Sequence, residues 1–163
     1  FPNVDENWKF DDLQTLEIHL PSQSNDAERW IHHANFLSEL SNLKHLIIEG
    51  PSRFSWGSDE QGVEFDIGQL KGLTKLEYLK LNVQVKTLDA LSKMAKLTRL
   101  SVESGLLQTL SGLQQLVQLK GLCLESCSKL NDISHIVDLN SIEYLDFEGK
   151  VIKRYGIVET MHG

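Results

Sequence analysis

Several absences narrow the field before any pattern is read. The chain has no run of 18 apolar residues, so the sequence offers no membrane-spanning helix. It has no charged start followed by an apolar stretch, the mark of a secretory signal. It begins at Phe1 rather than Met, which reads as an excised or processed piece, so any targeting segment would lie outside it. Basic residues are few: 16 Lys and Arg stand against 23 Asp and Glu, a net charge of −7. That balance argues against nucleic-acid backbones and anionic membranes as partners, and for a protein with a basic surface. The plainer reading is a solvated acidic surface that aids solubility.

Cysteine is scarce. If residues 123–127 are extended, the α-carbons of Cys123 and Cys127 lie about 13 Å apart, beyond disulfide reach. Two reduced thiols point to a reducing, cytoplasmic setting, and no Asn-x-Ser/Thr acceptor opposes it. Motifs that carry chemistry are missing too: no Gly-x-x-x-x-Gly-Lys, Gly-x-Gly-x-x-Gly, His-Glu-x-x-His or Gly-x-Ser-x-Gly. His32 and His33 are adjacent on an expected helix and point apart. Two cysteines without a second pair do not make a zinc site. The expectation is therefore no enzyme, no cofactor and no metal. The sequence carries no signal for an oligomeric state.

Leucine is abundant, with 27 residues. In the stretch from Leu88 to Leu124, Leu97-x-x-Leu100-x-Val102 recurs as Leu119-x-x-Leu122-x-Leu124, 22 residues later. Each is led in by apolar residues at steps of three: Leu88, Leu91, Met94 and Leu97, then Leu110, Leu113, Leu116 and Leu119. The same unit starts at Leu13, Leu43, Leu76 and Ile142, giving spacings of 30, 33, 21, 22 and 23. This is an internal repeat in the solenoid range, and the two long spacings read as one repeat plus an insertion.

The pattern Leu-x-x-Leu-x-Leu resembles the leucine-rich-repeat family, in its short 21–23 residue phosphatase-regulator-like or bacterial classes. The resemblance covers residues 13–147. It implies an α/β fold: a right-handed solenoid with a curved parallel sheet of about six strands on the concave face and helices or turns on the convex side. It also implies that the concave face binds other proteins. The chain departs from the family where an Asn normally satisfies the turn backbone. That position holds Pro21, Pro51, Gln84, Gly105, Cys127 and Lys150. A less regular solenoid is expected, with turns satisfied by other groups.

The whole chain, 1–163, reads as one repeat domain. Residues 1–12 read as an N-terminal cap with Trp8 and Phe10. Insertions fall at 21–40, expected as a true α-helix, and at 51–66, a loop carrying Phe54, Trp56 and Phe65. Residues 148–163 read as a C-terminal cap or the start of a further segment.

Residues between the leucines should point outward, because strand side chains alternate. They form three rows. The first is Thr15, His45, Tyr78, Arg99, Gly121 and Tyr144; the second Glu17, Ile47, Lys80, Ser101, Cys123 and Asp146; the third His19, Glu49, Asn82, Glu103, Glu125 and Glu148. The third row holds four Glu, either a stripe for a basic partner or a solvated edge that resists aggregation. The candidate partner-binding set is Tyr78, Arg99, Glu103, Glu125, Tyr144, Asp146, Glu148 and Trp56. The favoured function is protein–protein interaction. The alternative is a structural or regulatory domain of a longer polypeptide. Hydrolytic or transferase chemistry at Cys123 ranks last, since its row neighbours include no His.

Overall fold

The computed structural model describes residues 10–20, 29–30, 33–50 and 64–153. Seven strands form one sheet in chain order: β1 (Thr15–His19), β2 (His45–Glu49), β3 (Tyr78–Asn82), β4 (Arg99–Glu103), β5 (Gly121–Glu125), β6 (Tyr144–Phe147) and β7 (Lys150–Lys153). β1 to β6 are parallel. β7 runs antiparallel to β6.

The register is the repeat made physical. Leu79, Leu100, Leu122 and Leu145 are successive partners across β3 to β6, and Leu81, Val102, Leu124 and Phe147 form the next row. A strand puts alternate side chains on opposite faces, so these rows sink together. Leu79 and Leu122 are wholly buried and Leu100 is 2% exposed. In β1, Leu16 and Ile18 are only partly buried, as suits an end strand with one neighbour. Phe10 packs against the core there, while Trp8 lies outside the described residues.

The steps of three have an equally direct cause. Short 3₁₀ helices occupy the return segments: Ala34–Glu39, Ile67–Leu70, Asp89–Lys93, Leu113–Gln115 and Ser134–Asp138. Three residues make one 3₁₀ turn, so side chains at i and i+3 eclipse. Leu88, Leu91, Met94 and Leu97 therefore all face inward, as do Leu110, Leu113, Leu116 and Leu119. Neighbouring returns approach closely. A β-carbon at Gly72 would stand 2.2 Å from the Ser38 carbonyl oxygen. Gly112, at φ 94°, would bring one within 2.8 Å of the Asp89 α-carbon.

One expectation is corrected here. The α-helix expected within 21–40 ends as a 3₁₀ helix at Ala34–Glu39, where Leu40 N–H donates to the Leu37 carbonyl at i−3. Trp30, Ala34, Leu37 and Leu40 still bury as its apolar face, and the steps from 34 to 40 are those of a three-residue turn. The expected parallel sheet of about six strands is present as β1 to β6, and an antiparallel seventh strand joins its end. Glu148 and Gly149 both take positive φ, 51° and 75°, as a type I′ hairpin turn requires, and this folds β7 back onto β6. Most of 21–33 and all of 51–63, including Trp56, lie outside the described residues. The end of the second insertion is described. Phe65 is buried and stacks on Trp30, ring centroids 6.4 Å apart, so it belongs to the core.

Leu122 sits at the centre of this lattice with no exposed area. Replacing it with Ala should cost about 2–5 kcal/mol, read as a lowered midpoint in chemical denaturation. A loss well under 1 kcal/mol would mean the side chain is not in the core.

Candidate functional site

The outward face of the sheet carries the three rows in the register the repeat implies. Thr15, His45, Tyr78, Arg99, Gly121 and Tyr144 are consecutive partners, and Glu17, Ile47, Lys80, Ser101, Cys123 and Asp146 are the next set. His19, Glu49, Asn82, Glu103 and Glu125 pair in the third.

The first row holds a run of ring contacts. The His45 and Tyr78 rings lie 6.3 Å apart, and the Arg99 guanidinium sits 5.1 Å from the Tyr78 ring centre. Such a cation–π contact holds Arg99 toward the middle of the sheet. Gly121 leaves room for it, since a β-carbon there would reach 3.4 Å from Arg99 Cγ. Tyr144 is 39% exposed at the far end of the same row.

The acidic row divides into three parts. At β1–β3 it is neutralised: His19 Nε2 lies 2.8 Å from Glu17, His19 Nδ1 3.3 Å from Glu49, and Lys80 bonds Glu49. The Lys80 hydrogen bond draws the Glu49 carboxyl below its ordinary value, and the same bond raises Lys80. At β4–β6, Glu103, Glu125 and Asp146 stand on three adjacent strands. At the end, Glu148 leaves the row. Its carboxylate turns back to accept the backbone N–H of Cys127 at 2.8 Å and of Ser126 at 3.2 Å.

Glu148 thus does for one turn what the family's Asn would do. The turn after β3 has its own solution. The Ser104 hydroxyl, 1% exposed, accepts from Val85 N–H at 2.9 Å and donates to the Val85 carbonyl at 2.9 Å. Gln84 Oε1 accepts from Leu106 N–H at 3.2 Å. The sheet register stays unbroken through both turns, so the missing Asn does not make the solenoid irregular between β3 and β6.

Cys123 lies half-buried in the second row, its thiol 3.7 Å from Glu125 Oε1, and Cys127 is buried in the turn. Burial first, then the nearby Glu125 and Asp146 carboxylates, push the Cys123 thiol up, although a Ser101 hydrogen bond opposes them. Burial pushes Cys127 up to about 11. A nucleophilic cysteine needs the opposite shift. Desolvation and then Asp146 raise the Tyr144 hydroxyl as well.

Of the predicted set, Tyr78 and Arg99 come together; Glu103, Glu125, Asp146 and Tyr144 gather on β4–β6; Glu148 is diverted into a turn; Trp56 lies outside the described residues. Sequence reasoning missed the Glu17–His19–Glu49–Lys80 network and the grouping of Cys123 with Glu125 and Asp146. Both were signalled by i, i+2 spacing together with strand register.

No protein-family model matches this chain, and no curated protein does. Solved structures do. The chain is similar to internalin C2 from Listeria monocytogenes, with 27% identity over 67% of this chain and a TM-score of 0.53. Its fold also resembles that of an internalin, InlF, from the same organism, with 18% identity over 83% of this chain and a TM-score of 0.52. It spans 43% and 41% of those two chains, less than half of either.

Two predictions follow the local electrostatics. Because Glu49 is held low, the stability its pair with Lys80 adds is present above the ordinary carboxylate value of 4.5 and fades as pH falls through the lowered value. Lys80→Met should therefore cost at most about 1 kcal/mol at neutral pH and nothing in acid, read from denaturation midpoints at several pH values. A pH-independent cost would remove the ion pair from the account. Cys123 should alkylate more slowly at neutral pH than an unhindered thiol, read by mass spectrometry after a timed quench. Faster labelling would mean an activated thiolate.

In-register leucine rows, three-residue return turns and this likeness agree: the chain is a leucine-rich-repeat protein with an open solenoid sheet.

Proposed function

We propose that this chain is a protein-interaction module without catalysis of its own, and that it engages a basic segment of its partner through the β4–β6 part of the concave face. One observation carries the reading. Three carboxylates, Glu103, Glu125 and Asp146, stand on adjacent strands beside the exposed Tyr144. Parallel strands lie about 4.8 Å apart, so the Glu103 and Glu125 carboxylates repel at short range. A cationic partner would convert that repulsion into attraction. Tyr and Arg dominate interface hot spots, and Tyr144 and Arg99 flank the acidic group. The raised Cys123 thiol and the lack of a His beside it support the non-enzymatic half of the proposal. The two free thiols fit a reducing compartment.

A second reading is favoured by a separate observation. The chain covers less than half of each internalin it resembles, which fits a sensor or effector domain of a longer polypeptide. The same face would then serve contacts within that larger protein.

The test is a pull-down from lysate at two salt concentrations. Glu103→Lys with Glu125→Lys should weaken capture of a specific partner by at least about tenfold, and salt should weaken the wild type likewise. The melting temperature should hardly move, since both residues face solvent rather than the leucine core. Undiminished, salt-insensitive capture by the double variant would remove the acidic face from the interaction.

A further inference from the structure

The first outward row differs from the other two in charge. Thr15, His45, Tyr78, Arg99, Gly121 and Tyr144 include no carboxylate. Glu17 and Asp146 lie in the second row, and Glu49, Glu103 and Glu125 in the third, all further along their strands. Each row lies two residues on from the last, so the face is polarised along the strand direction. Arg99 and Glu103 mark the two ends of that polarity on β4, roughly 13 Å apart.

Arg99 is exposed, and its position is constrained on both sides. On one side its guanidinium lies over the Tyr78 ring, 5.1 Å from the ring centre. On the other, Gly121 presents no side chain, and a β-carbon there would stand 3.4 Å from Arg99 Cγ. The ring contact balances part of the positive charge but does not use up the directional N–H donors. Among the described residues no hydrogen bond or ion pair occupies those donors. Holding a long side chain in place before binding removes part of the ordering cost that a surface arginine otherwise carries. A planar fork of donors so held matches a carboxylate, which accepts two parallel N–H bonds. A phosphate would bring more negative charge to a face that already holds Glu103, Glu125 and Asp146, so the singly charged group is the better fit.

We propose that Arg99, positioned by Tyr78, is a carboxylate-binding site on the concave face, and that the partner segment carries an Asp or Glu roughly 13 Å from the basic group that meets Glu103 and Glu125. The site rests on the protein-interaction reading above and adds a second charge which that reading does not require. In an extended segment lying along β4 the two charges stand about four residues apart, and in a helix the same span takes about nine. A uniformly basic segment would meet Arg99 with like charge. The contact therefore selects segments that carry both signs over purely cationic ones.

The probes are two short Gly/Ser peptides, one with a Glu and a Lys about four positions later, the other with Gln in place of that Glu. Each is titrated into the full chain at low ionic strength and followed by NMR, including the Arg99 side-chain N–H signal. The Glu peptide should bind the wild type about threefold more tightly than the Gln peptide and should shift that signal. The preference should vanish in Arg99→Gln. It should shrink in Arg99→Lys, which lacks the planar fork, and in Tyr78→Leu, which keeps the guanidinium but releases it. The peptide exchange leaves the protein untouched, so the wild-type comparison decides even where a variant fails to fold. Glu103→Lys with Glu125→Lys should weaken both peptides and leave the preference for Glu in place. Equal binding of the two peptides to the wild type, or a preference that survives in folded Arg99→Gln, would overturn the site. If both peptides still lose affinity for the Glu103 and Glu125 double variant, the acidic-face reading stands without it. Binding of neither peptide to the wild type would overturn both.

Discussion

The structure depends on one constraint: each strand must place its leucines at the same height as those of its neighbours. A parallel pair shifted by one residue would turn its buried row to solvent. Here Leu79, Leu100, Leu122 and Leu145 align without a slip, and the 3₁₀ returns behind them supply Leu91, Leu113 and their neighbours to the same interior. Each repeat buries its apolar side only against the next one, so the core is a stack of layers. The outward rows lie outside that layered leucine core. Their charges answer to local pairing and to whatever the face contacts.

Local pairing accounts for more of the acidic surface than a row of glutamates suggests. Glu49 is shared by His19 and Lys80, Glu17 contacts His19, and Glu148 supports the turn that follows β5. A compact acidic group lies on β4–β6, made of Glu103, Glu125 and Asp146 with Cys123 among them and Tyr144 at its border. A cationic partner segment is one way to stabilise like charge set at strand spacing on a partly buried surface.

Much of this was legible in the residues. For residues 97–124 the repeat placed the outward side chains in the rows where they are found, because a two-residue period and a 22-residue offset leave no other choice. The return segments were less legible. Ala34, Leu37 and Leu40 satisfy a three-residue and a longer helical period alike over so short a span, and the tighter helix prevails at its described end. The β7 hairpin hid in Glu148-Gly149, since the first of these also fits a strand row until its positive φ is known. The diversion of Glu148 was invisible for a related reason. Nothing local announces that a carboxylate will reach the backbone N–H groups of residues 22 and 21 positions earlier. Ser104 is similar: one buried hydroxyl between two repeats replaces a side chain the family usually places elsewhere.

The most direct test of the division of this face is an NMR titration of the chain with a short lysine-rich peptide. Shifts should concentrate on Glu103, Glu125, Tyr144 and Asp146, with Glu17, His19 and Glu49 unmoved and the buried leucine methyls unperturbed. Shifts centred on Glu17 and Glu49, or spread evenly over the acidic residues, would contradict the account.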